Sequence, residues 1–173
     1  MTDKELIRKV HSGNKDALTF IIDKYYDEIY RFCVYLTGKE TDSYDIVQEV
    51  FLKFIRYVDS YQYKNLKGYL LIIARNLCYD FFRRQKDMIG LEEIVDSGEE
   101  DLQITVIENN MLLEQALLQI PTEQREVIIL HSYEEFKFLE IAKMLECNLS
   151  TVKSRYHLGI SKLRKLLEEE SEK

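Results

Sequence analysis

The feature that most constrains this chain is a helical hydrophobic pattern that almost nothing interrupts. Apolar residues recur at i, i+3 and i+4 along most of its 173 residues, whereas segments that alternate with a period of two are few. The chain contains one Pro and six Gly, so helix-breaking residues are scarce. The pattern predicts an all-α protein of one domain or two small ones.

The charge of the chain is concentrated in one segment. Residues 87–110 hold eight acidic side chains and no basic one, whereas residues 1–86 hold 15 basic and 12 acidic side chains. This segment therefore accounts for most of the formal net charge of −7. It also lacks sustained helical periodicity, which is typical of a linker. We predict two helical domains, residues 1–86 and 111–173, joined by an acidic linker over residues 87–110.

Three helices are predicted in the N-terminal domain, over residues 17–37, 43–58 and 68–87, with a polar loop over residues 59–67. Gly38 would end the first helix, and Thr41 to Ser43 offer N-caps for the second. The first helix would bury Phe20, Ile21, Tyr25, Ile29, Phe32 and Leu36, and the third would bury Leu70, Ile73, Ala74, Leu77 and Phe81.

The C-terminal domain reads as helices over residues 110–120, 121–135, 138–146 and 151–167. The turn CNLS precedes the last helix, with Ser150 or Thr151 as its cap. A helix, a short turn and a second helix form a helix-turn-helix. In that arrangement Ile141, Ala142 and Leu145 are expected to pack against Val152, Tyr156 and Leu163.

Enzymatic and cofactor signatures are missing from the sequence. It contains no phosphate-binding loop, dinucleotide fingerprint or zinc-protease motif, and His11, His131 and His157 are far apart. We therefore expect no catalytic residues, no metal and no cofactor. The charged start MTDKELIRKV, three distant cysteines and the lack of an apolar run of about 20 residues predict a cytoplasmic protein without membrane insertion.

The last predicted helix has the chemistry of a duplex-DNA reader. Residues 147–167 hold five Lys or Arg and no acid. The face opposite its packing side presents Lys153, Ser154, His157 and Leu158, where a recognition helix meets the major groove. Phosphates would be contacted by Ser150, Thr151, Arg155, Lys162, Arg164 and Lys165. A solvated amphipathic helix would explain the same charges.

A second stretch, residues 59–87, interleaves aromatic and basic side chains. Bases that stack on aromatic rings while cations follow the backbone are the chemistry of single-strand binding. The members are Tyr61, Tyr63, Lys64, Lys67, Tyr69, Arg75, Tyr79, Phe82, Arg83, Arg84 and Lys86. Some of these aromatics could instead belong to the core.

Three motifs in order give the chain a family resemblance from about Leu18 to Leu167. YDIVQEVFLKF, GYLLIIARNLCYDFFRR, and IPTEQREVIIL followed by FLEIAKML and STVKSRYHLGISKLRKLL are similar to those of the extracytoplasmic-function (ECF, group IV) sigma factors of bacterial RNA polymerase, in the sigma-70 family. The resemblance implies an alternative sigma factor that directs core polymerase to specific promoters and promotes DNA melting.

The resemblance also implies roles for particular residues and partners. The clamp of core polymerase would bind Asp45, Gln48, Glu49 and Phe51. The melted −10 strand would be held by Tyr61, Tyr63, Lys64, Asn65, Tyr69, Asn76, Asp80, Arg83 and Arg84. The duplex −35 element would meet Ser150, Thr151, Lys153, Ser154, Arg155, His157, Leu158 and Lys162. The partners implied are the clamp and flap of core polymerase, promoter DNA as duplex and single strand, and an anti-sigma factor.

Several positions depart from the family pattern. Tyr69 replaces a Trp, Lys137 replaces a capping Ser, and residues 146–148 replace a turn that contains Gly. Leu158 stands where Arg is frequent, and it could contact a thymine methyl group instead of bonding to guanine. The alternatives are a helix-turn-helix regulator that acts without core polymerase, or an interaction protein whose basic helix is only a solvated face.

Overall fold

The computed structural model describes residues 1–62, 65–89 and 111–173. These residues form helices and contain no strand, in agreement with the all-α prediction. The helices are α1 (Asp3–His11), α2 (Lys15–Thr37), α3 (Glu40–Tyr57), α4 (Leu66–Ile89), α5 (Met111–Leu118), α6 (Thr122–Ile128), α7 (Phe138–Met144) and α8 (Leu149–Ser171), with a 3₁₀ turn at Val58–Ser60 and a π-helical turn at Ile129–Tyr133.

The contacts divide the described chain into two compact units. One contains residues 1–33 and 41–89, and the other contains residues 34–40 and 111–173. Helix α4 continues to Ile89, so the first three residues of the predicted acidic linker are helical. The rest of the predicted linker, from residue 90 onward, lies outside the described residues.

Helix α1 was not predicted, although its start carries a readable signal. The Thr2 hydroxyl accepts from the Glu5 backbone N–H at 3.3 Å, and the Glu5 carboxylate accepts from the Thr2 N–H at 2.8 Å. This is the reciprocal capping box that a Thr followed three residues later by Glu indicates. The helix is held in the unit because Leu6 and Ile7 are buried.

Helices α2 to α4 confirm most of the predicted core and correct three details. Gly38 ends α2 with a φ of 72°, in the left-handed region that suits glycine. Phe20 was expected in the core but is 52% exposed. Because α3 begins at Glu40, Thr41 to Ser43 lie inside the helix and are not its caps. In α4, Ile73 and Phe81 are half-buried and not fully buried as expected.

In the second unit, α8 packs on α5, α6 and α7. Leu163 was expected against α7, but it lies in a cluster with Ala116, Leu117, Ile120 and Ile128 of the α5–α6 segment. The N-cap residue of α8 is Asn148, so neither Ser150 nor Thr151 caps the helix as predicted. The helix-turn-helix forms between α7 and α8.

Candidate functional site

Helix α3 exposes some of the residues that the family resemblance assigns to polymerase binding. Asp45 and Gln48 are exposed and Glu49 is half-buried. Phe51 belongs to the core instead: it is 5% exposed and stacks on Tyr26 with ring centroids 6.2 Å apart. The family resemblance assigns Phe51 to the contacting residues, but as a buried side chain it instead packs α3 against Tyr26 of α2.

A groove of about 630 Å³ runs between α3 and the second half of α4. Its acidic residues are Asp42, Asp45 and Glu49, and Arg84 lines it as well. Sequence reasoning grouped Arg84 with the −10 residues, because the family motif ends in two adjacent arginines. The helical turn separates the two: Arg84 lies with the acidic residues of α3, and Arg83 does not line the groove.

The loop before α4 is held by a chain of aromatic rings. The Tyr61 ring lies 4.5 Å from that of Tyr69, and Tyr69 meets Phe54 edge-on at 6.4 Å. Phe54 is fully buried, so this row of aromatic rings begins in the core and ends at Tyr61. Burial, with a smaller effect of Tyr57, raises the pKa of Tyr69. Tyr69 therefore supports Tyr61. Tyr63 and Lys64 lie outside the described residues.

Asn65 performs a structural task that the sequence analysis did not assign. Its side-chain oxygen accepts from the Gly68 N–H at 3.0 Å, and its carbonyl accepts from the Tyr69 N–H at 3.0 Å. Asn65 thus caps α4, as an Asn directly before an apolar helix often does. Gly68 makes room for this cap, because an added Cβ would lie 3.3 Å from the Asn65 Cγ.

Further along α4, Asn76, Asp80 and Arg83 recur at i, i+4 and i+7 and so share one face of the helix. Asp80 and Arg83 form an ion pair in which both side chains are well exposed. The Asn76 side chain accepts from Arg75 at 3.3 Å, and Arg75 stacks over the Tyr79 ring at 4.4 Å. The face offers donors and acceptors to a partner strand.

Helix α8 separates a bare outer face from a packed inner one. The outer face exposes Lys153, Ser154, His157 and Leu158, the four residues assigned to base reading. Among the other residues assigned to the −35 element, Ser150 and Lys162 are exposed and Thr151 is half-buried. Arg155 is turned toward α6, where it pairs with Glu123 at 3.6 Å.

The turn before α8 shows how the chain does without the expected glycine. Glu146 has a φ of 53°, a left-handed conformation that costs a non-glycine residue some free energy. The Cys147 N–H closes the end of α7 by donating to the Ala142 carbonyl at 3.0 Å. At the start of α7, the N–H of Lys137 donates to the Glu140 carboxylate at 3.2 Å. This bond replaces the missing Ser cap by half of a capping box.

Arg125 is a buried organiser that sequence reasoning missed. Its guanidinium donates to the carbonyls of Leu117 at 2.8 Å, Ile120 at 3.0 Å and Leu118 at 3.3 Å. These carbonyls lie at the end of α5, where helical partners run out. Arg125 thereby fixes the α5–α6 turn against which α8 packs. The Arg within the motif IPTEQREVIIL was a signal, but its task depends on residues that only the fold brings near.

Comparison with known proteins places the chain in a family. Residues 21–87 match the model of Sigma-70 region 2, and residues 110–163 match the model of Sigma-70, region 4. The chain is 32% identical to the ECF RNA polymerase sigma factor SigW of Bacillus subtilis, over 96% of this chain and 97% of that protein. It is 28% identical to SigX of the same organism, over 89% and 85% of the two chains.

Two solved structures share the fold. The sigma factor RpoE of Bartonella quintana, in complex with the anti-sigma factor NepR, has a TM-score of 0.70 at 25% identity and covers 87% of this chain and 96% of its own. CnrH, in complex with the cytosolic domain of CnrY, has a TM-score of 0.72 at 22% identity and covers 96% and 97%.

The fold and the two matched regions define a sigma-70-type transcription initiation factor. More narrowly, the chain belongs to the ECF RNA polymerase sigma factors. It is an alternative sigma factor that directs RNA polymerase, and it is not an enzyme. The reading as a regulator that acts without polymerase is not favoured. None of the helices in the described part of the chain combines the length and apolar character that crossing a bilayer requires.

Proposed function

We propose that the chain divides its work between residues 1–86, which bind core polymerase and the melted −10 element, and residues 111–173, which bind the duplex −35 element. Residues 87–110 would connect the two. Fully extended, 24 residues reach about 80 Å, which exceeds the roughly 70 Å of two turns of duplex. In the cytoplasm, where core polymerase acts, this assembly would open selected promoters.

The polymerase clamp would meet α3 through Asp45, Gln48 and Glu49. Exposed carboxylates on one helix face suit a basic partner surface, and Arg84 adds a cation across the groove. Phe51 contributes to this surface indirectly, because it stacks on Tyr26 of α2 and so holds α3 in place. The second unit would contact the polymerase flap.

The melted −10 strand would lie along the loop over residues 61–65 and the α4 face formed by Asn76, Asp80 and Arg83. The observation that carries this assignment is the chain of rings from Phe54 through Tyr69 to Tyr61. It holds the Tyr61 ring against Tyr69, which lies two turns before Asn76 on the same side of α4, so that a flipped base could stack and hydrogen-bond there.

The duplex −35 element would be read by Lys153, Ser154, His157 and Leu158, with phosphate contacts from Ser150, Thr151 and Lys162. These side chains occupy the N-terminal half of α8, the part of a recognition helix that faces base edges. Because Arg155 pairs with Glu123, we assign it to packing between α6 and α8 before DNA contact.

An anti-sigma factor is the further partner that we propose. The RpoE of Bartonella quintana, similar over 87% of this chain, was solved in complex with the anti-sigma factor NepR. Such a protein would compete with core polymerase for the acidic face of α3.

Promoter melting by the reconstituted holoenzyme tests this assignment. A promoter fragment is first selected from randomised DNA with core polymerase and the wild-type chain. Tyr61→Ala should then lower permanganate reactivity of the −10 thymines about tenfold or more, because base stacking on an aromatic ring contributes about 1–3 kcal/mol. Co-elution with core polymerase should remain unchanged.

Phe20→Ala is the matched control, since Phe20 is an exposed aromatic residue on α2 outside both proposed surfaces. Normal melting by Tyr61→Ala would show that the loop does not hold the −10 strand. Duplex binding without any co-elution with polymerase would instead support the regulator that acts alone.

A further inference from the structure

Helix α1 precedes the part of the chain that matches Sigma-70 region 2, which begins at residue 21. It is nevertheless fixed firmly at its start. The Asp3 carboxylate accepts from the Lys24 ammonium at 2.6 Å and from the Tyr25 hydroxyl at 2.5 Å. Leu6 and Ile7, one turn further on, are 1% and 3% exposed. These contacts fix α1 on α2, so the C-terminal end of α1 has a defined position.

That far end reaches the loop that carries Tyr61. The Nε2 atom of His11 lies 2.7 Å from the carbonyl oxygen of Val58, 47 residues away in sequence. A carbonyl oxygen can only accept, so Nε2 carries the proton and His11 is the donor. Helix α1 and the 3₁₀ turn Val58–Ser60 also pack against each other.

The same carbonyl oxygen holds the backbone of Tyr61. The Tyr61 N–H donates to it at 3.1 Å, so both lone pairs of the Val58 oxygen are used. After this bond the chain leaves the turn in an extended conformation, with φ −71° and ψ 121° at Tyr61. The direction of the Val58 carbonyl thus sets where the Tyr61 backbone begins, and His11 constrains that direction from outside the loop.

Burial does not explain the role of His11. The residue is exposed, and the Val58 side chain beneath the turn is already buried at 6% exposure. Truncating the imidazole would open no cavity in the core. What it would remove is the directed bond from His11 to the Val58 carbonyl, so the consequence should appear at Tyr61 and not in the overall stability.

We propose that His11 is a positioning residue for promoter melting: its Nε2–H bond to the Val58 carbonyl orients the turn from which Tyr61 meets the −10 strand. Tyr61 itself is placed by two supports, its ring by Tyr69 and its backbone by the Val58 carbonyl. The proposal rests on the proposed function of the loop, whereas the effect of His11 on the loop can be measured without DNA.

The experiment compares His11→Ala, His11→Gln and His11→Asn in the full chain. The amide of Gln coincides with imidazole Nε2 and can donate to Val58, whereas that of Asn is too short. Ser12→Ala is the matched control, because it removes a hydrogen bond at the same end of α1, from the Ser12 hydroxyl to the Lys9 carbonyl at 2.8 Å, without touching the turn.

Two readouts are needed. Hydrogen exchange of the Tyr61 amide in the free protein should accelerate about three- to tenfold in His11→Ala and His11→Asn, as loss of one modest hydrogen bond implies. Permanganate reactivity of the selected promoter in the holoenzyme should fall by a similar factor. His11→Gln should stay within about twofold of wild type in both, and Ser12→Ala should match wild type.

The outcomes separate the two proposals. Unchanged Tyr61 exchange in His11→Ala overturns the role of His11. Faster exchange with normal melting also overturns it, and the Tyr61→Ala variant then decides the cause. If Tyr61→Ala melts poorly, the loop assignment stands and only His11 is dispensable. If Tyr61→Ala melts normally, the loop assignment fails as well. Failure of His11→Gln to restore either readout counts against a bond-based role.

Discussion

The two proposed DNA-binding surfaces are built in opposite ways. At the −10 surface, the residues support one another: Tyr61 rests on Tyr69, and Asn65 is used both as a loop residue and as the cap of α4. At the −35 surface, Lys153, Ser154 and the other outward residues of α8 are exposed, and the buried residues of the helix lie on its inner face.

This difference has a functional meaning. A surface that must extract a base from the duplex stack needs its own side chains held in place, because unstacking costs a few kcal/mol. A surface that reads an intact groove needs only a helix in a fixed position with free side chains. We therefore expect contact and support to fall on the same residues at the −10 surface and on different residues at the −35 surface.

The largest expected effect lies in the support of the −35 surface. Arg125→Ala removes the guanidinium bonds to the carbonyls of Leu117, Leu118 and Ile120, and should destabilise the second unit by about 3 kcal/mol. Hydrogen exchange should rise in α5–α8 and at the end of α2, where the Leu36 carbonyl also accepts from Arg125, but not in α1 or α4. Arg125→Lys should rescue little, because an ammonium cannot span three carbonyls. Arg164→Ala, an exposed arginine on α8, is the control, and equal protection of the two variants would refute the role of Arg125.

The next effect comes from the close approach of α8 to α6. An added Cβ at Gly159 would lie 2.6 Å from the Ile128 Cδ1 and 3.2 Å from the Gln124 Cβ. Gly159→Ala should therefore cost about 1–3 kcal/mol in unfolding free energy. Ile128→Val removes the clashing methyl group, so the double variant should be more stable than the sum of the single effects predicts. Additive costs, measured by denaturant unfolding with Ser161→Ala as control, would exclude this contact as the cause.

At the −10 surface the cap and the DNA contact can be separated at one residue. Asn65→Ala removes the cap of α4 and should lower the unfolding free energy by about 1 kcal/mol. It should also reduce promoter melting. Asn65→Asp keeps the accepting oxygen but removes the side-chain N–H donors. Its stability should match wild type, while its melting activity should fall if the amide donates to a base. Normal melting by Asn65→Asp would leave Asn65 as a cap only.

The smallest expected effect comes from comparing two cationic residues of α8. Lys162 is assigned to a phosphate contact, and Arg155 is assigned to packing against α6. Lys162→Ala should lower the slope of log K against log salt for −35 duplex binding by about 0.9, the value for one phosphate contact. Arg155→Ala should leave that slope unchanged and weaken stability by at most about 1 kcal/mol, since its partner Glu123 is largely exposed. The measurement uses the holoenzyme over a salt series. A slope that falls for Arg155→Ala would return Arg155 to the phosphate contacts.

The comparison also shows which predictions from sequence were dependable. Gly38 was correctly placed at the end of α2, because a left-handed C-terminal residue is a local requirement. Phe20 was wrongly placed in the core, because the apolar stripe of α2 contains more residues than the neighbouring helices cover. The cap of α8 was misplaced from Asn148 to Ser150 or Thr151, because four consecutive residues include three with capping side chains.

Functional residues followed the same division. Lys153, Ser154, His157 and Leu158 could be assigned to an exposed face by counting along one helix. Phe51, Arg84 and Arg155 could not be placed, because their positions depend on neighbouring helices: Tyr26 covers the first, the acidic residues of α3 face the second, and Glu123 pairs with the third.

The sequence by itself determined the helical class, the order of the motifs and the family, because hydrophobic periodicity and motif spacing are properties of neighbouring residues. Only the tertiary structure decided which polar side chains remain available to a partner. Asn65 serves as a cap, Arg125 as a donor to the end of α5, and His11 as a donor to Val58, 47 residues away. A polar group satisfies its hydrogen bonds with whatever the fold brings near, and that proximity is not written in the local pattern.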